Sequence, residues 1–167
     1  MSSSSSETAA FLKTVRIFGE IEDVDLTEVA QRLREQNLKR AQVLFREGDP
    51  GSEMFIIRRG TMIISKPVTG KVEQVLARMS VGDFFGEMSL FDRAPRSATL
   101  QAETEATLLS LDRESVEHLA RVSPRAAAAF FRSLVHVFIE RLRESSNLVA
   151  EVTRWGLEAT GLDIDSR

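Results

Sequence analysis

The hydrophobic period of this chain changes twice, and the central section between the changes limits the fold most. Between about Leu38 and Leu111 the apolar residues fall in short continuous or alternating runs, among them Val43 to Phe45, Met54 to Ile57, Met62 to Ile64, Val72 to Leu76 and Ala106 to Leu111. The groups Gly48-Asp49-Pro50-Gly51, Arg59-Gly60, Thr69-Gly70 and Val81-Gly82-Asp83 separate them. Runs this short, bounded by Gly, Pro and Asp, read as β-strands joined by tight connections. About seven or eight strands at that spacing predict an antiparallel β-barrel or jelly roll rather than a parallel sheet.

Helical periodicity flanks the strands. From Glu7 to about Gln36, the residues Phe11, Leu12, Val15, Phe18, Val24, Leu26, Val29, Ala30 and Leu33 recur three and four apart, with a break near Gly19 that makes two short helices. Asp25 is placed to cap the second. After the strands, Asp112 is placed to cap a helix carrying Val116, Leu119 and Ala120. Ser123-Pro124 then opens a longer helix with Phe130, Leu134, Val137, Phe138, Ile139 and Leu142 on one side. Run to about Val152 it would reach about 40 Å, more than a small barrel needs, so its far end requires another surface. The fold class is α+β, an antiparallel β-barrel or jelly roll with N-terminal helices and a long C-terminal helix.

A chain of 167 residues with 43% apolar content suffices for one compact domain. The serine run from Met1 to Ser6 has nothing to bury, so residues 1–8 are read as a disordered tail, 9–152 as the domain and 153–167 as a short C-terminal tail. The absence of cysteine excludes disulfides, thiolate metal sites and cysteine nucleophiles. A net charge of -3 provides no basic field for nucleic acid. With no bilayer-length apolar run and no signal segment, a soluble, cytoplasmic protein without membrane contact is expected.

One stretch does not fit a plain strand: Gly82-Asp83-Phe84-Phe85-Gly86-Glu87-Met88-Ser89-Leu90-Phe91, followed by Asp92-Arg93-Ala94-Pro95-Arg96-Ser97-Ala98-Thr99-Leu100. Gly86 can take backbone angles closed to other residues, and a helical turn starting at Glu87 would aim the free amides of Met88, Ser89 and Leu90 outward as an anion cradle. A helix N-terminus offers only about half a unit charge, so a phosphate sheltered from water also needs a full cation with directional donors. Arg96, fixed by Pro95, is placed to supply it. Glu87 would repel a phosphate, and as a pure acceptor it suits a sugar hydroxyl instead.

The run Phe85-Gly86-Glu87-Met88-Ser89-Leu90 with Pro95-Arg96-Ser97-Ala98-Thr99-Leu100 resembles the phosphate-binding cassette of the cyclic nucleotide-binding domain family. That family includes catabolite activators, cAMP-dependent kinase regulatory subunits and cyclic-nucleotide-gated channels. Phe45-Arg46-Glu47-Gly48-Asp49 before Met54-Phe55-Ile56-Ile57-Arg58-Arg59-Gly60 resembles the family's second and third strands, and the resemblance extends from about Phe11 to Val152. It implies that Glu87 accepts the ribose 2′-hydroxyl and that Gly86 and the amides of Met88 and Ser89 meet sugar and phosphate. It implies equally that Arg96 pairs an exocyclic phosphate oxygen and that Ser97 and Ala98 complete the cradle, with Phe85 at its edge. The long helix becomes a lid that contacts the base through Arg141, Ser145 and Ser146, and a dimerisation helix whose seam over 125–152 continues through Leu148, Val149 and Val152. The implied ligand is cAMP, preferred over cGMP on Ser97, and no cofactor or metal is implied.

Catalytic readings fare poorly. His118 and His136 are the only histidines and neither has a second histidine at ligand spacing, whereas a metal-dependent jelly-roll enzyme needs about three clustered ligands. Gly86-Glu87-Met88-Ser89 is no nucleophile elbow. The chain is expected not to be an enzyme but a sensor acting in trans on an unknown protein partner. The alternatives are the sensor half of a truncated transcription regulator and a degenerate, non-binding interaction domain. Thr153 to Arg167 cannot form a helix-turn-helix, so direct DNA binding is not expected.

Overall fold

The computed structural model describes residues 2–69 and 72–159; Gly70 of the Thr69-Gly70 turn and the last eight residues of the 153–167 tail lie outside the described residues. Helices α1 (Ser2–Thr14) and α2 (Asp23–Arg32) come first. Strands β1 (Arg34–Leu38), β2 (Val43–Phe45), β3 (Glu53–Arg59), β4 (Met62–Thr69), β5 (Val72–Met79) and β6 (Phe84–Phe85) follow. A single 3-10 turn (Glu87–Leu90) separates these from β7 (Thr99–Ala102) and β8 (Ala106–Asp112). Helices α3 (Arg113–Val122) and α4 (Pro124–Ala159) end the described chain.

The strands form two four-stranded sheets in the orders β1-β8-β3-β6 and β2-β7-β4-β5, and every pairing is antiparallel. The hydrogen-bond ladders do not close on themselves, so of the two expected descriptions the jelly roll holds and the closed barrel does not. β3 lies between β8 and β6, and Met54, Phe55, Ile56 and Ile57 are all buried along it, which explains its continuous apolar run. Phe55, Ile57, Met62, Phe85, Leu100 and Leu108 form the centre of the core, with Leu44 and Phe45 packed against it. Leu12, Leu26 and Val29 of the N-terminal helices and Val15 and Phe18 of the link between them are also buried, and Phe18 stacks on Phe130 with ring centroids 5.4 Å apart.

Several boundaries differ from the sequence expectations. Residues 2–8, expected as a disordered tail, belong to α1. Thr8 and Ala9 are buried and the Thr8 Oγ1 accepts a 3.1 Å hydrogen bond from Arg58 Nη1, so tertiary contacts overcome a serine-rich composition. α2 starts at Asp23 without a side-chain cap, which places Asp25 inside the first turn, where it favours the helix dipole without capping an amide. α4 continues to Ala159, beyond the expected end at Val152. Contacts divide the chain between Phe130 and Phe131, inside the span 9–152 read as one domain. From Ile139 to Trp155 every residue of α4 is exposed. Among the described residues no helix is long and apolar enough to cross a membrane.

The start of α3 matches its sequence signal. The Asp112 carboxylate accepts from the Ser115 amide at 2.9 Å and also meets Arg34 Nη2 at 3.3 Å. The hydrogen bond from Ser115, helped by Arg34, holds the carboxyl below its ordinary value against the opposing effect of burial. Asp112→Ala is expected to cost about 1 kcal/mol at neutral pH in urea denaturation. Because the folded pKa lies below the unfolded one, this stabilisation is fully present above the unfolded value of about 3.9 and disappears as pH falls through the folded value. The two unfolding curves should therefore converge in acid.

Candidate functional site: a buried arginine in the β6–β7 segment

The segment joining β6 to β7 leaves the sheet at Gly86, whose φ of 76° lies in the left-handed region that glycine enters without strain. The chain then makes the 3-10 turn Glu87–Leu90, as the sequence predicts. Glu87, Ser89 and Leu90 are buried in it, while Met88 is exposed. The Ser89 amide donates to Gly86 O at 3.1 Å, so the turn itself occupies one of the three amides expected to be free. The Ser89 hydroxyl instead accepts a 3.0 Å hydrogen bond from Arg96 Nη1.

Backbone bonds to the β2–β3 turn pin Arg96 in place. Its amide donates to Asp49 O at 2.8 Å and its carbonyl accepts from the Gly48 amide at 2.9 Å. Asp49 Oδ2 closes that turn by accepting from the Arg46 amide at 2.8 Å, and Thr99 Oγ1 accepts from the Glu47 amide at 3.1 Å. The Arg96 side chain enters the protein and is only 6% exposed. Nη1 also donates to Glu53 O at 2.9 Å, and the guanidinium carbon lies 4.2 Å from the centroid of the Phe45 ring and 5.6 Å from that of Phe55. A Cβ on Gly51 would overlap the guanidinium, and one on Gly86 would come within 2.7 Å of Nη1. Both glycines make room for this side chain.

The electrostatics are unusual for an arginine. Burial pulls the guanidinium below its ordinary value, opposed by the charges of Glu53 and Asp49. No carboxylate lies within ion-pair distance among the described residues, and the buried Nε has no hydrogen-bond partner. A cation held out of water with an unused donor is incomplete, and an anion with several acceptor oxygens would complete it.

The structure places the other expected residues in different ways. The Phe85 side chain belongs to the core, stacked on Phe55 at 5.5 Å, so its ring does not line an open site. Ala98 is buried and Ser97 exposed, both in the bend between Arg96 and β7. Arg141, Ser145 and Ser146 lie on the exposed part of α4 beyond Phe130, and the Ser146 hydroxyl donates to Leu142 O at 2.9 Å. Among the described residues no cluster of three His, Asp or Glu could hold a metal ion.

Residues 35–123 match the family model described as the cyclic nucleotide-binding domain. The chain belongs to this family. The match includes every cassette residue from Phe85 to Ala98 and ends before Arg141. A CRP-like cAMP-activated global transcriptional regulator of Mycobacterium tuberculosis is 29% identical over 136 residues, 81% of this chain and 59% of that protein. A cyclic nucleotide-gated potassium channel of Mesorhizobium japonicum is 34% identical over 116 residues, 70% of this chain and 31% of the channel. The chain thus spans less than two thirds of either relative. The solved N-terminal domain of a transcriptional regulator from Streptomyces coelicolor A3(2) superposes with a TM-score of 0.72 at 30% identity, covering 83% of this chain and 94% of that one.

Four contributors to this cyclic nucleotide-binding domain were not singled out from sequence. Gly51 was read only as part of a turn and Phe45 only as a strand residue, and Glu53 and Arg113 not at all. Gly51 is the one with a usable signal, since Asp49-Pro50 already ends the strand and the following glycine is not needed for that. The carbonyl of Glu53 and the ring of Phe45 become arginine partners only through tertiary packing.

Proposed function

We propose that this domain binds a cyclic nucleoside monophosphate, cAMP in preference to cGMP, and acts as a non-enzymatic sensor on a partner protein. The observation that carries this reading is the buried Arg96 guanidinium with its unpartnered Nε. In this reading the cyclic phosphate accepts from Arg96, and the buried Glu87 accepts the ribose 2′-hydroxyl. Gly86, the Met88 amide, Ser89, Ser97 and Ala98 surround the sugar and phosphate, with Phe85 supporting them from the core. Arg141, Ser145 and Ser146 on α4 contact the base. The protein needs no metal or redox cofactor for this role.

The exposed apolar residues Leu142, Leu148, Val149, Val152 and Trp155 support a second proposal, that α4 pairs with the same helix of another copy over 125–152 and beyond. Ligand can alter that pairing only through a difference in affinity between two states.

Calorimetric titration of ligand-stripped protein with cAMP and cGMP tests the function. Micromolar or tighter binding, stronger for cAMP, is expected. Failure of both nucleotides to bind would leave a non-binding interaction domain.

A further inference from the structure

A second arginine reaches the same short turn. Arg113, the first residue of α3, donates from Nη2 to Ser89 O at 3.2 Å and to Asp92 O at 3.3 Å. Its amide donates to Ser52 O at 3.3 Å, which fixes its backbone beside the start of β3. Its Nε is buried without a hydrogen-bond partner, so the guanidinium is committed to this place and is not a loose surface cation. The two carbonyls it holds lie at the C-terminal end of the 3-10 turn, where donors are scarce and a cation is favoured. Ser89 is therefore held at two points: Arg96 binds its hydroxyl and Arg113 binds its carbonyl.

We infer that Arg113 is a positioning residue for ligand binding, fixing the turn Glu87–Leu90 through its carbonyls so that Ser89 can seat Arg96. This rests on the proposed phosphate-binding role of Arg96. Arg113 acts through the turn and has no contact with the ligand. A lysine there would keep the charge but lose the planar fork that reaches two carbonyls at once.

The test combines cAMP titration, thermal unfolding and amide exchange of the unliganded protein for wild type, Arg113→Ala and Arg113→Lys. Loss of a charged hydrogen-bonding group predicts about tenfold weaker cAMP binding for Arg113→Ala, with Arg113→Lys in between. Exchange of amides 88–92 should accelerate in the same order, while β3 and β8 keep wild-type protection. Unchanged affinity with unchanged exchange at 88–92 overturns the inference, as does weaker binding without faster exchange there, which would make Arg113 a source of charge alone. Faster exchange throughout the sheets also overturns it, because the role would then be general stability. If wild-type protein binds no cAMP, the functional reading fails and the exchange pattern alone decides the role of Arg113. Should Arg113→Ala fail to fold, Arg113→Lys decides by the same exchange criterion.

Discussion

Arg96→Ala is expected to weaken cyclic nucleotide binding by at least about thirtyfold while the unliganded domain stays folded. Removing one partner of a buried charged pair costs about 2 to 5 kcal/mol, which is about thirtyfold to several thousandfold in affinity. The unliganded fold should tolerate the change because a buried cation with no direct ion pair carries a desolvation cost, only partly offset by Glu53 and Asp49, that disappears with it. That gain offsets the lost bonds to Glu53 O and the Ser89 hydroxyl and the lost contact with Phe45. Calorimetry and a thermal melt, run side by side, measure the two effects. Retained affinity would mean the anion binds elsewhere, and a collapse of the melt would make Arg96 a structural residue first.

Gly51→Ala should be the second largest effect, and it acts without touching a residue proposed to meet the ligand. A Cβ at this position overlaps the Arg96 guanidinium at Nε, Cζ and Nη2, so the side chain must leave its place over Phe45. Gly51 does not occupy the left-handed backbone region, unlike Gly86 with its φ of 76°. Alanine therefore adds crowding but no backbone strain. Overpacking of this kind costs about 1 to 3 kcal/mol, and a binding loss on the same scale lowers affinity for cAMP about fivefold to 150-fold. The expected result is weaker binding in a titration together with a melt lowered by several degrees but still cooperative. Unchanged binding would show that Arg96 meets the ligand from a position other than the packed one seen here.

Much of the domain was legible along the chain because local chemistry decides it. The periods of α3 and of the strands β2, β3, β4, β5 and β8 follow from which side chains must leave water, and Asp112 and Pro124 mark helix starts through capping and φ preference. The turn at Gly86, the charge of Arg96 and the acceptor of Glu87 could be read from residue type and spacing. What sequence could not supply depends on contacts between distant segments. β1 carries the exposed polar residues Arg34 to Asn37, with no apolar alternation to reveal it, and is a strand because it pairs with β8. The helical state of Ser2 to Glu7 follows from a helix anchored further on, and the two open sheets follow from a strand order that period alone does not encode. At the site, the chain determined which cation is present; tertiary structure decided that Arg96 would be buried between Gly51 and Gly86 and seated on Ser89. Burial and partner geometry are properties of residues brought together across the fold, and they are what separate Arg96 from an ordinary surface charge.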